Sequence, residues 1–274
     1  MNDMSLKAKI RNIASEKNVS ASAVLQNYLN SRFLFRLAKS DYQDKFVIKG
    51  GMLISSMIGI EQRSTMDLDA TLRYMKLEED TIREAFSNIC SIAVDDGIQF
   101  VFKSIAPIRD DDEYGGYRIS YNAVLGKINA PMSMDVSTGD VITPDVKIHD
   151  FTDMFEPDQT IQLYAYPIET VLAEKLETVL SRGIENTRPR DFYDIYMLSA
   201  TEYSRITLRD AFAATAKHRG SYEKIQDYLP IIENIRIDTV MNQRWKNYQK
   251  QMPYANDITF SDVMDAVQKL MELI

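Results

Sequence analysis

Cysteine is nearly absent from this sequence. Cys90 stands alone among 274 residues, so no intramolecular disulfide can form. With no second thiol and only His149 and His218 as imidazoles, there is no ligand set for a structural zinc site either. Two histidines also leave little material for serine–histidine or cysteine–histidine catalysis, which needs an imidazole base beside the nucleophile. Carboxylate chemistry is the natural alternative. Long apolar runs are missing as well. No stretch approaches the roughly 18 residues that a spanning helix needs, and the opening residues Met1 to Lys9 lack the apolar core of a secretory signal. A cytoplasmic location without a membrane partner is expected. Positive charge is in deficit, with 32 lysines and arginines against 40 aspartates and glutamates for a net charge of -8. That balance argues against general duplex binding, which relies on many cations neutralising phosphates. Apolar residues are plentiful: 45% of the chain is hydrophobic, enough to bury one large core or two small ones, and this excludes disorder.

The first 40 residues read as two or three short helices. Leu6, Ile10 and Ile13 fall at helical spacing, Asn18 to Ser20 breaks the pattern, and Val24, Leu25, Tyr28 and Leu29 resume it. The pattern is compatible with a helix-turn-helix, but no basic recognition face accompanies it, so these helices are expected to pack on a core and no sequence-specific DNA binding is expected. Six short apolar or alternating runs follow, at 46–48, 66–72, 99–105, 117–125, 132–137 and 161–165, and read as strands of one sheet. Helical patterns at 52–58 and 76–93 lie between them, giving a mixed α/β layer. From Ile168 onward the pattern is almost wholly helical. The acidic run Arg109 to Gly116 reads as a solvated loop between strands.

In Thr65-Met66-Asp67-Leu68-Asp69-Ala70, strand alternation places both aspartates on one face and Met66, Leu68 and Ala70 on the other. Two carboxylates then converge and repel each other unless a cation lies between them. Hard oxygen donors without histidine or cysteine favour Mg²⁺ or Mn²⁺. Upstream, the run Phe46 to Lys49 ends in Gly50 and Gly51 ahead of a helix, an arrangement that lets phosphate oxygens approach backbone amides; an ordinary glycine turn has the same sequence. Downstream, Ser133, Asp135 and Ser137 share one strand face opposite Met132, Met134 and Val136, so a third carboxylate points out of an apolar segment.

Taken in order, Lys49-Gly50-Gly51, then Arg63-x-Thr65-x-Asp67-Leu68-Asp69, then Asp135-Val136-Ser137-Thr138-Gly139-Asp140 resemble the AbiEii family of abortive-infection toxins in the nucleotidyltransferase superfamily. The resemblance extends over most of the chain. One departure is that fifteen residues separate Gly51 from Asp67, where the superfamily spacing is nearer ten, and Gly51 stands where a serine can occur.

Two helical segments carry further signals. In Ile168 to Leu180, Lys175 falls inside the apolar stripe of Ile168, Val171, Leu172, Leu176, Val179 and Leu180. It must snorkel, pair with a buried carboxylate, or reach a ligand phosphate. After Pro189, the spacing sets Arg190 and Asp194 at i,i+4 with Asp191 beside them, which reads either as an Arg190–Asp194 pair with dipole complementarity from Asp191 or as a functional polar edge.

The resemblance implies an α/β (α+β) fold with a nucleotidyltransferase-type mixed sheet, an N-terminal helical segment and a helical C-terminal half. It implies an α/β domain over residues 1–166 and a helical domain over 167–274 that completes the active site. Asp67, Asp69 and Asp135 would be the metal-binding carboxylates, with Lys175 and Asp191 as further catalytic residues. Lys49, Gly50, Gly51, Arg63, Thr65 and Asp194 would contact the nucleotide. The implied reaction is metal-dependent transfer of a nucleoside monophosphate from a nucleoside triphosphate to RNA, such as a transfer-RNA end, or to a protein. A separately encoded antitoxin is the implied partner. The alternative is a purine-nucleotide-binding regulator with this fold and no transferase activity.

Overall fold

The computed structural model describes residues 2–108 and 115–274; most of the acidic run expected as a solvated loop, residues 109–114, lies outside them. Two compact units emerge. The first comprises residues 1–140 and 147–165, the second residues 141–146 and 166–274.

In the first unit, two helices, α1 (Asp3–Glu16) and α2 (Ala21–Ala38), are started by side-chain caps. Asn2 accepts the Ser5 amide and Ser20 accepts the Ala23 amide, satisfying donors that a first turn leaves open. Asn18, between them, takes a left-handed backbone at φ 51. The sheet then forms from β1 (Phe46–Lys49), β2 (Leu68–Leu72), β3 (Gln99–Pro107), β4 (Gly116–Leu125), β5 (Ile128–Ser137), β6 (Lys147–Asp153) and β7 (Glu156–Ala165), in the order β3-β4-β5-β2-β1-β7-β6. The connections α3 (Gly50–Ile58) and α4 (Glu79–Ser91) follow β1 and β2. The sheet is mixed: β2 runs parallel to β5 and β1 parallel to β7, while the remaining neighbours are antiparallel.

Among the described residues seven strands stand where six apolar runs were read. The additional one is β6, where exposed Lys147 and half-buried His149 share the face of Phe151 and hide the alternation; it is an edge strand and only Phe151 and Asp153 are buried. Strands β5 and β7 also begin four and five residues earlier than their most apolar stretches.

One sheet face forms the core. Ile119, Tyr121, Met134, Val136, Leu68, Ala70 and Ile48 are buried on it. Phe33 of α2 and Phe86 of α4 pack on Tyr121 and on each other, with ring centroids 4.9 to 5.6 Å apart. A buried ionic cluster ties α2 to this layer: Arg36 forks onto Asp96 at 2.9 Å on both oxygens, and Arg32 reaches Asp96 at 2.9 Å and Asp153 at 3.3 Å. The N-terminal helices therefore serve packing.

The second unit is helical: α5 (Ile168–Arg182), α6 (Pro189–Ser199), α7 (Arg205–His218), α8 (Tyr222–Ile225), α9 (Tyr228–Ile237), α10 (Thr239–Gln251) and α11 (Phe260–Glu272). Thr259 and Asp262 close a reciprocal capping box on α11. Trp245, the one tryptophan of the sequence, is buried with its indole N–H on the Ile258 carbonyl at 3.0 Å. Among the described residues no helix is long and apolar enough to cross a membrane. The mixed α/β architecture with N-terminal helices and a helical C-terminal half agrees with the fold class read from the sequence.

Candidate active site

The face of the sheet opposite the core carries a transverse row of four charges. Strand register pairs Arg118 with Asp135, Asp135 with Asp69, and Asp69 with Lys49. Residues paired in register share a face, so a cation, two carboxylates and a second cation line up across β4, β5, β2 and β1. Alternation accounts for each member: Leu68 and Ala70 point inward around Asp69, and Met134 and Val136 around Asp135.

Each end of the row is held by explicit bonds. Arg118 makes a two-pronged contact to Asp135, Nε to Oδ1 at 2.7 Å and Nη2 to Oδ2 at 2.6 Å, and this contact raises the Arg118 pKa further above its usual value. Lys49 Nζ donates to Ser137 Oγ at 2.8 Å and to Asp140 Oδ2 at 2.7 Å; Ser137 and Thr71 hydroxyls also donate to Asp140. Asp67, immediately before β2, accepts from Ser133 Oγ at 2.6 Å. Asp69 sits in the middle. Burial first, then Asp135 and Asp67, push its carboxyl above the ordinary range, against the opposing pull of Lys49 and a hydrogen bond from the Gly51 amide.

The glycine turn presses directly on this carboxylate. Gly50 has φ +66, and a Cβ there would lie 2.1 Å from Asp69 Oδ2. A Cβ at Gly51 would lie 2.5 Å from Thr65 Oγ1 and 3.3 Å from an Arg63 nitrogen. A hydroxyl therefore already stands beside Gly51, supplied by Thr65. Arg63 is buried behind the turn, where it donates to the Ser64 carbonyl.

The second unit contains its own ionic group. Lys175 Nζ of α5 lies 2.8 Å from Asp191 Oδ1 and 2.8 Å from Asp194 Oδ2, both on α6, and Asp194 is wholly buried. Burial alone would depress Lys175; the two carboxylates reverse the sign and hold it above its usual value. Of the three possibilities open for Lys175, pairing with a buried carboxylate is the one realised in this structure. Asp194, set at i,i+4 to Arg190 by its spacing, turns inward to Lys175, while Arg190 is exposed.

The sequence-predicted residues thus fall into two groups: Lys49, Gly50, Gly51, Arg63, Thr65, Asp67, Asp69 and Asp135 in the first unit, Lys175, Asp191 and Asp194 in the second. Arg118 and Thr71 escaped the sequence reading. The alternation of polar Arg118, Ser120 and Asn122 with apolar Ile119, Tyr121 and Ala123 could have placed Arg118 on the carboxylate face.

A family model described as "Nucleotidyl transferase AbiEii toxin, Type IV TA system" matches residues 32–269. The chain belongs to the AbiEii family. It is accordingly a nucleotidyltransferase, a toxin of a toxin–antitoxin system whose counterpart is an antitoxin. Among solved structures, the AbiEii chain is similar to a candidate nucleotidyltransferase from H. pylori, at 18% identity and a TM-score of 0.49, covering 93% of this chain and 99% of that one. It is also similar to JHP933 from Helicobacter pylori, at 17% identity and a TM-score of 0.49 over 92% and 93% of the two chains. A third is an antigenic nucleotidyltransferase-like protein from Paracoccidioides brasiliensis, at 13% identity and a TM-score of 0.40 over 74% and 90%. No curated protein matches.

The donor set suits a divalent cation. Among the described residues no three carboxylate, imidazole or thiol groups close around a metal by themselves. Mg²⁺, however, usually takes one or two carboxylates and completes its shell with water and substrate phosphates. Asp67 and Asp69 are hard oxygen donors on one face, and the half-buried Asp69 charge is opposed by two neighbouring carboxylates. A cation bound there would relieve that repulsion.

Proposed function

We propose that this AbiEii protein transfers a nucleoside monophosphate from a nucleoside triphosphate to a hydroxyl group of RNA, with Asp67 and Asp69 holding Mg²⁺ or Mn²⁺. The observation that carries this reading is the row Arg118–Asp135–Asp69–Lys49 with the Gly50 turn seated against its centre. When bound, the cation supplies neutralising charge to the triphosphate and to departing pyrophosphate.

The chain's own residues do the rest. Gly50 and Gly51 begin α3, so their backbone can approach phosphate oxygens at a helix N-terminus. Asp135 accepts the proton of the attacking hydroxyl, and Arg118 fixes the orientation of that carboxylate. The acceptor oxygen bonds to the α-phosphorus as the bond to the bridging oxygen breaks, and pyrophosphate leaves with the electron pair. Lys49 braces β1 against Ser137 and Asp140 and so sets the spacing of the row. Thr65 supplies the hydroxyl beside Gly51, and Arg63 positions the turn from behind. In the second unit we assign Lys175, held by Asp191 and Asp194, to a nucleotide phosphate, and Asp191 to orienting the acceptor; this part rests on the family resemblance.

The test is incubation of the purified protein with Mg²⁺, each of four α-labelled nucleoside triphosphates and total bacterial RNA, following label transfer and pyrophosphate release. Label entering RNA, lost in Asp67→Ala, is the expected result. Label entering protein alone would overturn the RNA acceptor. Nucleotide binding with neither label transfer nor pyrophosphate release would overturn the reaction and favour a binding regulator.

A further inference from the structure

Beyond the ends of β1 and β2, the sheet carries a second feature that the chemistry above does not use. Tyr74 is 77% exposed, more than any other large apolar or aromatic side chain among the described residues. Its backbone is left-handed, at φ 55, a conformation that bulky L-residues avoid and that persists only where the surroundings impose it. A ring so far from the core adds little to folding, so both exposure and strain call for another reason.

Cations and rings alternate around it. Lys45 Nζ lies 5.9 Å and the Arg73 guanidinium 4.8 Å from the Tyr74 ring centroid, and the same guanidinium is 5.9 Å from the Tyr164 ring. Arg73 Nη2 also donates to Tyr74 Oη at 2.7 Å. Pairing of β1 with β2 continues past the strand ends, through the Arg73 amide on the Lys45 carbonyl at 2.8 Å. Lys45 and Arg73 therefore keep the register of Lys49 and Asp69, and Tyr164 lies on that same face because Ile48 and Ala165 pair on the other. Asp44 contacts Lys45 at 3.1 Å and offsets part of the positive charge. Arg73 is four residues along the strand from Asp69, about 13 Å at the rise of a β-strand.

An exposed ring flanked by cations, on the face of a sheet, suits unpaired bases: the ring stacks on any base and the cations meet its phosphates. We propose that Tyr74 is a stacking platform for an unpaired base of the RNA acceptor, a few nucleotides from the reacting hydroxyl, with Lys45 and Arg73 contacting the adjoining phosphates. This rests on the RNA-acceptor reading above. A duplex, whose bases are already stacked, gains nothing from the ring.

The experiment is fluorescence anisotropy of the full chain, without nucleotide, against a short fluorescein-labelled single-stranded RNA and the same strand annealed to its complement. Tyr74→Ala weakens single-strand binding by about tenfold, the order expected for one lost stack, while Tyr74→Phe stays within about twofold of wild type. Duplex binding is unchanged by either substitution. Equal single-strand affinity in wild type and Tyr74→Ala, in a protein that still labels RNA, overturns the platform and leaves the transferase reading intact. A wild-type protein that neither binds nor labels RNA overturns the acceptor reading, and the platform with it.

Discussion

Replacing Gly50 by alanine separates two costs that usually arrive together. Gly50 has φ +66, and an alanine there pays the left-handed conformational penalty, about 1–2 kcal/mol. The added Cβ would also stand 2.1, 2.6 and 2.9 Å from Oδ2, Cγ and Cβ of Asp69. The carboxylate would have to retreat by roughly 1.3 Å to regain ordinary contact near 3.4 Å. The Asp69 backbone cannot follow, because β2 is paired with β1 on one side and β5 on the other; the side chain must rotate and leave its place in the charged row. A displacement of about 1 Å in a reacting constellation costs on the order of a hundredfold in rate. The control is Gly220→Ala. Gly220 has φ +65 and nothing within 4 Å of its ideal Cβ, so it bears the conformational penalty alone. Urea unfolding followed by circular dichroism should show a loss of about 1–2 kcal/mol for Gly220→Ala and a larger one for Gly50→Ala, whose Cβ also meets Asp69, while labelled-nucleotide transfer by the folded protein should fall about a hundredfold only in Gly50→Ala. Turnover of Gly50→Ala within about threefold of wild type would refute the argument that the glycine exists to let Asp69 approach the turn.

Other consequences follow from the ionic groups. Asp96→Ala removes the carboxylate on which Arg36 and Arg32 fork and should cost about 3–5 kcal/mol by chemical denaturation; Asp96 opposes its own burial through those arginines and titrates below its usual value. Its stabilising contribution is therefore complete above about pH 4, the unfolded value, and is lost as pH falls through the lower folded value, so the wild-type melting temperature should drop more steeply on acidification than that of Asp96→Asn. Lys175→Met leaves Asp191 and the buried Asp194 without their shared ammonium and should destabilise the protein by about 3–5 kcal/mol, read from Trp245 fluorescence during unfolding. Because Lys175 is held above its usual pKa, its contribution is complete below about pH 10 and is lost only as pH rises through the higher folded value; a stability difference between wild type and Lys175→Met that is constant from neutral pH to about pH 10 and shrinks above it checks the sign. Arg118→Ala removes the cation paired with Asp135 and should tighten Mn²⁺ binding by about two- to fivefold in calorimetry, with unchanged affinity counting against the shared field of the row.

Local pattern was enough to place Asp69 and Asp135 on strands with their carboxylates away from the apolar face, because alternation has a period of two and needs no tertiary information, though it ran the strand back over Asp67, which stands just ahead of β2. It could not reveal that Asp69 and Asp135 are direct register partners. That pairing joins two parallel strands far apart in the chain, and register is decided by packing across the sheet. Arg118 was missed for the same reason: its meaning comes from standing opposite Asp135. The helical stripe exposed Lys175 as misplaced but could not choose its partner, and spacing alone offered Arg190 to Asp194 when burial of the α6 face had already committed Asp194 to Lys175. Strand β6 was invisible because, at the sheet edge, its inward positions carry Lys147, His149 and Asp153 beside the single apolar Phe151, while apolar Ile148 faces outward.

The four charges of the row come from positions 49, 69, 118 and 135, and the strand carrying the last of them is inserted between two that precede it, β4 and β2. Pairings of such long sequence separation form late, since loop closure must be met before the contacts repay it. During synthesis, a ribosome-bound chain that has exposed only β1 to β4 has no Asp135, no continuous sheet between β4 and β2, and no row. A chain cut short after β4 can therefore pair β1 with β2 and β3 with β4, yet the two hairpins have no strand to join them and their charges stand apart.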